Sequence, residues 1–132
     1  MGFQLRYKSS VSTHWSYNYG TCGGSFETQN GILTSPSHPS NYQRRPRDCI
    51  YNISVPTVTT VIVLNFLRMD IPNTTYEGYT GEIRSGPCYD YLEIRDGPTE
   101  DSPLLHSRLC GTEIPAPIIS SQNQLLMKQV YS

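Results

Sequence analysis

Between Cys49 and Val55 every second residue is apolar: Cys49, Tyr51, Ile53 and Val55 share one parity, with Asn52 and Ser54 polar on the other. Successive side chains of a strand point to opposite faces, so this period of two sends one set into a core and turns Asn52 toward solvent. Short alternating stretches of this kind recur along the chain, punctuated about every ten residues by Gly or Pro clusters, which is the pattern of an all-β sandwich. No stretch reads as a long helix.

The other strands follow from the same rule. Val58 to Met69 is apolar on both parities through Val61, Ile62, Val63 and Leu64, then Phe66, which predicts a central strand covered on both sides. Tyr89 to Asp96 predicts another, ended by the turn pair Asp96-Gly97 with Pro98 behind it. There Cys88, Asp90, Leu92 and Ile94 share a face, so the Asp90 carboxylate sits beside a thiol and two aliphatic chains and needs a partner. Leu125, Met127 and Tyr131 mark a last strand. Pro72 to Pro87, carrying Glu77 and Glu82, reads as a long exposed loop. Tyr7 to Thr21 has no period and reads as a linker that sets a short first strand, Gly2 to Tyr7, apart from the rest.

Cys22, Cys49, Cys88 and Cys110 form no C-x-x-C pair and have no neighbouring histidine pair, which removes the usual zinc spacings. An even count in a turn-rich chain of 132 residues favours two disulfides over four buried thiols, with three pairings open. The sequons Asn52-Ile53-Ser54 and Asn73-Thr74-Thr75 add to the case for an extracellular setting, with Asn52 and Asn73 as candidate glycosylation sites. Met1 to Tyr7 lacks the basic start and apolar core of a secretion signal, so such a signal is expected upstream.

The length suits one domain with a real core. A formal net charge of -1 creates no field that would draw in nucleic acid, and the longest apolar run, Val61 to Leu64, falls far short of the roughly 18 residues that cross a bilayer. Nucleic-acid binding and a membrane span are therefore not expected. His14, His38 and His106 lie near serines, but no G-x-S-x-G elbow is present and no enzymatic activity or catalytic residue is expected. Arg44-Arg45-Pro46-Arg47 is the only basic cluster; three charges in a turn release too few counterions to hold a polyanion firmly, so it reads as a solvated turn. Tyr76 and Tyr79 in the long loop offer contact area of the kind interfaces favour.

Set in order, these residues resemble the CUB domains of extracellular proteins. The first half is carried by Cys22-Gly23-Gly24, by Gly31-Ile32-Leu33-Thr34-Ser35-Pro36 with Pro39 and Tyr42, and by Cys49, Tyr51, Ile53, Val55 and Pro56. The second half is carried by Leu64 and Phe66, by Met69-Asp70-Ile71, and by Cys88 through Gly97. Leu109-Cys110-Gly111 and Ser120-Ser121 with Asn123 and Leu125 complete it.

The resemblance implies an all-β, CUB-type antiparallel sandwich, jelly-roll-like, that lacks its C-terminal strand, because the family's closing F-x-S-D segment and G-F-x-x-x-Y strand do not follow Lys128. It also implies the pairings Cys22 with Cys49 and Cys88 with Cys110. Gly2-Phe3-Gln4-Leu5-Arg6-Tyr7 itself resembles that closing strand. Residues 1–7 are then expected to be the last strand of a preceding CUB domain, 8–21 a linker, and 22–132 a truncated CUB domain. Two arrangements stay open for Gly2 to Tyr7. It folds back into the vacant position, since residues 8–21 can stretch roughly 45 Å, or it lies loose and leaves an open sheet edge.

Many members of the family hold calcium at one end of the sandwich, through carboxylates that then pair with a basic residue of the partner. Asp90 falls on the strand-start ligand position. The glutamate expected after Asp70-Ile71 is Pro72 here, so Glu82 or Glu77 would have to replace it; the alternative is that a tyrosine hydroxyl or backbone N–H groups cap Asp90. The implied function is a non-catalytic extracellular protein-binding module of a multi-CUB endocytic receptor of the cubilin kind, with an extracellular protein ligand and neighbouring CUB domains as partners. The alternative is an accessory module, positioning substrate or scaffolding a dimer, in a secreted tolloid-like metalloprotease or complement-type serine protease.

Overall fold

The computed structural model describes residues 2–9, 15–36, 47–57, 59–71, 74–76, 83–85, 88 and 90–131. Its strands, in chain order, are β1 (Gly2–Lys8), β2 (Ser16–Asn18), β3 (Gly24–Phe26), β4 (Asn30–Thr34), β5 (Arg47–Ser54), β6 (Val63–Asp70), β7 (Thr74–Tyr76), β8 (Ile83–Ser85), β9 (Tyr91–Arg95), β10 (Ile118–Ile119) and β11 (Gln124–Tyr131). Sheet A runs β10-β6-β1-β4-β2, sheet B runs β3-β5-β11-β9, and β7 pairs with β8 alone. Both sheets are antiparallel except at one edge each, where the short β2 and β3 run parallel to β4 and β5.

The expected alternation in β5 is present. Cys49, Tyr51, Ile53 and Val55 are at most 1% exposed, while Asn52 and Ser54 are half-buried on the other face. Opposite them, β11 turns Leu125 and Met127 inward and β9 turns Leu92 and Ile94 inward, so three strands of sheet B present one continuous apolar face.

Sheet A answers with Phe3, Leu5, Tyr7, Leu33, Leu64, Phe66 and Met69. Where the sheets meet, the Phe3 ring packs edge-on against Tyr51 at 5.6 Å and against Phe66 at 6.4 Å, geometries that suit the ring quadrupole.

Gly2–Lys8 lies inside sheet A, antiparallel to β4 on one side (Gln4 opposite Thr34 through Lys8 opposite Asn30) and to β6 on the other (Gly2 opposite Asp70 through Lys8 opposite Val63). Its entry is fastened by Phe3 and Ser35: the Phe3 N–H donates to Ser35 Oγ at 3.0 Å and the Ser35 N–H to the Phe3 carbonyl at 3.1 Å. Its exit is fastened by Ser9, whose N–H donates to the Gln29 carbonyl and to Asn30 Oδ1, both at 3.1 Å. Within the stretch expected to be a linker, Ser16–Asn18 forms an edge strand.

Two expectations are corrected. The apolar run at 61–64 does not make a strand covered on both faces: β6 begins at Val63, Val61 is 41% exposed, and only Leu64, Phe66 and Met69 face the core. Among the described residues, Arg6, Lys8, Leu67 and Arg68 are exposed on the outer side of sheet A. In addition, the stretch 72–87, expected to be loop throughout, contains the paired strands β7 and β8.

Tyr7 stands directly across from Gly31 in the β1–β4 register. The fully buried ring lies over that glycine, and its hydroxyl meets Thr28 Oγ1 at 2.7 Å. A methyl group on Gly31 would stand 2.6 Å from Cζ and 2.7 Å from the hydroxyl oxygen of Tyr7, closer than real contacts allow. Gly31→Ala should therefore destabilise the chain by about 1–3 kcal/mol, the usual cost of overpacking a filled core. Denaturant unfolding checks this; an unchanged midpoint would show that the ring does not depend on the missing side chain.

Candidate functional site

The register places Asp70, Ile71, Cys88, Asp90, Tyr91, Leu109 and Cys110 at one end of the sandwich. Cys88 is bonded to Cys110 across 22 residues, and Cys22 to Cys49 across 27. In the chain-entropy model, loops of these lengths are worth about 3.5 kcal/mol each.

Around the first bond, Ile71 and Gly111 exchange both backbone hydrogen bonds (3.0 and 2.7 Å), as do Leu92 and Leu109 (2.9 and 3.0 Å). The segment after the β9 turn is thereby laid along the edge of β9. It delivers Arg108, whose guanidinium carbon lies 4.0 Å above the Tyr91 ring and whose Nε is 3.6 Å from Glu93. Glu93 also meets Arg95 at 3.3 Å. Beside this cluster a cleft of about 360 Å³ is lined by His106, Arg108, Cys110, Glu113 and Ile114, among others. Its mixture of charge and exposed apolar surface suits protein contacts more than small-molecule chemistry.

Asp90 is half-buried at the mouth of β9, and an interaction within the chain already engages it. Pro72, Asn73, Glu77, Tyr79 and Glu82 lie outside the described residues, and so do His14, His38 and Arg44 to Pro46. Among the described residues no three His, Cys, Asp or Glu side chains converge on a point. A calcium ion takes six to eight oxygens. The orphaned buried oxygen, Gln129 Oε1, is a single amide oxygen on the inward face of β11 between Cys49 and Leu92. Of the candidate ligands read from the sequence, Asp90 alone is among the described residues. His106 Nδ1 lies 2.9 Å from the Ser107 carbonyl and 3.5 Å from the Ser107 hydroxyl, a pair between chain neighbours.

The opposite end is tied by a polar network that sequence reading did not anticipate. Asp96 accepts from the Ser121 N–H at 2.9 Å and from the Ser121 hydroxyl at 2.6 Å, while Gln122 Nε2 donates to the Asp96 carbonyl at 3.1 Å. Ser120 Oγ accepts from the Ile62 N–H at 2.8 Å and donates to the Gln122 carbonyl at 2.6 Å. Asn123 and Val55 are joined by two bonds of 2.9 and 3.0 Å. Gly97 follows Asp96 with φ +151°, packed so that a β-carbon would stand 2.9 Å from Ser102 Cβ. The available signals were the Asp-Gly turn and the Ser-Ser-x-Asn motif, which are 25 residues apart and give no local hint that they meet.

On the outer face of sheet B, Lys128 Nζ reaches Glu100 at 2.9 Å and Asp48 at 3.5 Å. The hydrogen bond to Glu100, helped by the Asp48 charge and opposed by partial burial, raises the ammonium above the ordinary lysine range.

Four similarities bear on this arrangement. A family model described as CUB domain matches residues 22–132. The chain is 38% identical over 109 residues to Tolloid-like protein 2 of Mus musculus, covering 83% of this chain and 10% of that protein. It is 32% identical over 127 residues to a Bone morphogenetic protein 1 homolog of Strongylocentrotus purpuratus, covering 93% and 18%, and 35% identical over 116 residues to Cubilin of Homo sapiens, covering 86% and 3%. The chain thus spans about a tenth of the tolloid-like relative and far less of cubilin. The 93% coverage exceeds residues 22–132 and takes in part of the segment before Cys22.

Asp96→Ala removes both side-chain bonds to Ser121 and should cost about 1–3 kcal/mol, the range for hydrogen bonds to a charged group. Thermal unfolding of the variant checks it; full stability would mean that the two loops are held by something else.

Proposed function

Because the chain belongs to the CUB family, we propose that it acts as a non-catalytic, extracellular protein-binding module within a tandem array of such domains. The observation that carries this is the family match over the whole of 22–132, on a sandwich whose loops are held by two disulfides. Similarity to cubilin supports the reading in which the parent is a multi-CUB endocytic receptor and the ligand a protein taken up with it.

A second reading, an accessory module that positions substrate for a tolloid-like metalloprotease, is supported by the tolloid-like similarity and by the alignment that reaches in front of Cys22. Taking 1–7 as the last strand of a preceding repeat and 8–21 as the linker rests on the G-F-x-x-x-Y pattern of Gly2 to Tyr7, with the alignment's reach before Cys22 in keeping with it. A neighbouring CUB domain would then be a partner in the array, and the same strand completes this sheet because closing strands of the family share one pattern.

Asn52 lies half-buried on the outer face of sheet B, between Ser25 and Leu126 in register. We take Asn52 and Asn73 as N-glycosylated, which fits secretion.

Sequencing the transcript past the Ser132 codon separates the parents: further CUB repeats favour the receptor, and an EGF-like or protease segment the metalloprotease. The purified chain should leave a fluorogenic peptide pool uncleaved, and turnover intrinsic to it would overturn the binding-module reading. Enzymatic deglycosylation of chain secreted from eukaryotic cells should release two glycans; one or none would remove the corresponding site.

A further inference from the structure

The outer face of sheet A differs in charge from the chain as a whole. The chain's formal net charge is -1. The five strands of this sheet, however, carry three cations, Arg6, Lys8 and Arg68, against one acidic residue, Asp70, which is exposed two positions after Arg68 on the same side of β6. All three cations are exposed. Arg6 and Lys8 are two residues apart on the central strand, so both point outward, about 7 Å apart along it.

Arg68 reaches the same face through an irregularity in β6. Gln4 is paired with Arg68 but Leu5 with Phe66, leaving Leu67 as an extra residue. The burial pattern records the consequence: Phe66 and Met69 are buried, while Leu67 and Arg68 between them are both exposed. A bulge re-aims side chains in this way, and bulges cluster at functional positions. Here it sets Arg68, already engaged by an interaction within the chain, beside Gln4 at a cleft of about 440 Å³ lined by Gln4, Tyr19, Gly20, Thr34 and Arg68. The floor is fixed, since the Gly20 N–H donates to Thr34 Oγ1 at 2.7 Å.

The wall of that cleft continues into an exposed aromatic pair. Tyr17 and Tyr19 are 60% and 58% exposed, with rings 6.3 Å apart and 26° from parallel. In register, Tyr17 lies beside Ile32, Ile32 beside Arg6, and Arg6 beside Asn65, so an aromatic, an aliphatic and a cation form one row across the sheet.

We propose that this face is a docking surface for an acidic protein partner, which lays carboxylates across Arg6, Lys8 and Arg68 and seats one of them in the Gln4–Tyr19–Arg68 cleft while the tyrosine pair supplies apolar contact. The proposal rests on the protein-binding reading and gives it a face and a partner chemistry. Charge complementarity selects an acidic occupant. The tyrosines select protein over a sulfated polysaccharide, because rigid aromatic area drives protein interfaces.

The test is an amide-resolved NMR titration of the full chain with an acetylated hexaglutamate peptide, with a heparin hexasaccharide and hexalysine as comparators. Hexaglutamate should shift Gln4, Arg6, Tyr19, Gly20 and Thr34, and the exposed double substitution Arg6→Gln with Arg68→Gln should weaken it about tenfold while the folded spectrum is retained. Shifts confined to the Asp90 and Cys110 end would overturn the proposed face and leave the protein-binding reading standing. Tighter binding of heparin at the same residues would overturn the choice of protein as partner, and absence of shifts with hexaglutamate would overturn the proposal altogether.

Discussion

Sheet A depends on backbone hydrogen bonding along both edges of Gly2–Lys8. β4 and β6 do not touch each other; each is paired to β1, and β2 and β10 hang on them in turn. Without the middle strand, two rows of N–H and C=O groups would face each other across an empty position, each lost bond leaving polar groups to be solvated. The strand also fills the space between the sheets. Phe3, Leu5 and Tyr7 are at most 2% exposed, and burying side chains of this size is worth about 1.5–3 kcal/mol each.

This dependence explains several local features together. Gly31 is bare because Tyr7 lies across it. Ser35 is fully buried because it is fastened to Phe3 at the strand's entry. The outward residues of β1, Gln4, Arg6 and Lys8, lie in the middle of the outer face and not at its rim, which is why a short N-terminal strand contributes two of the three cations there. At the sandwich ends, the disulfide Cys88–Cys110 and the Asp96–Ser121 network hold loops to the sheets, so the rigid faces and the loop ends are separate surfaces of one module of the CUB family.

Much of sheet B was legible in the sequence, because β5 and β9 alternate strictly, although β11 does not: Leu126 is buried between Leu125 and Met127. The parity of Cys49, Tyr51, Ile53 and Val55 and that of Leu92 and Ile94 are local properties, and they matched the buried face. Sheet A was less legible. The run from Val61 to Leu64 suggested burial on both faces, but the strand starts at Val63 and its outward residues are half-buried to exposed, since apolar content alone does not report whether a second layer exists. The place of Gly2–Lys8 was legible only as an alternative. Its partners lie about 25 and 60 residues away in the chain, and no local pattern encodes pairing at that distance. The bulge that turns Arg68 outward is equally silent in sequence, because it is created by the register between β1 and β6. At the Asp90 end, parity placed the carboxylate inside a strand running from Tyr89, whereas β9 begins at Tyr91 and leaves Asp90 half-buried just before it; Glu82 and Asn73 lie outside the described residues.

The most direct measurement removes residues 2–8 and follows thermal unfolding of the remaining chain beside the full one, with both disulfides formed. Loss of three buried side chains and both hydrogen-bonded edges should take away several kcal/mol from a total that in domains of this size is about 5–15 kcal/mol. The account therefore predicts a large drop in the midpoint or disappearance of the cooperative transition. A shortened chain that unfolds cooperatively at the same temperature as the full one would contradict it.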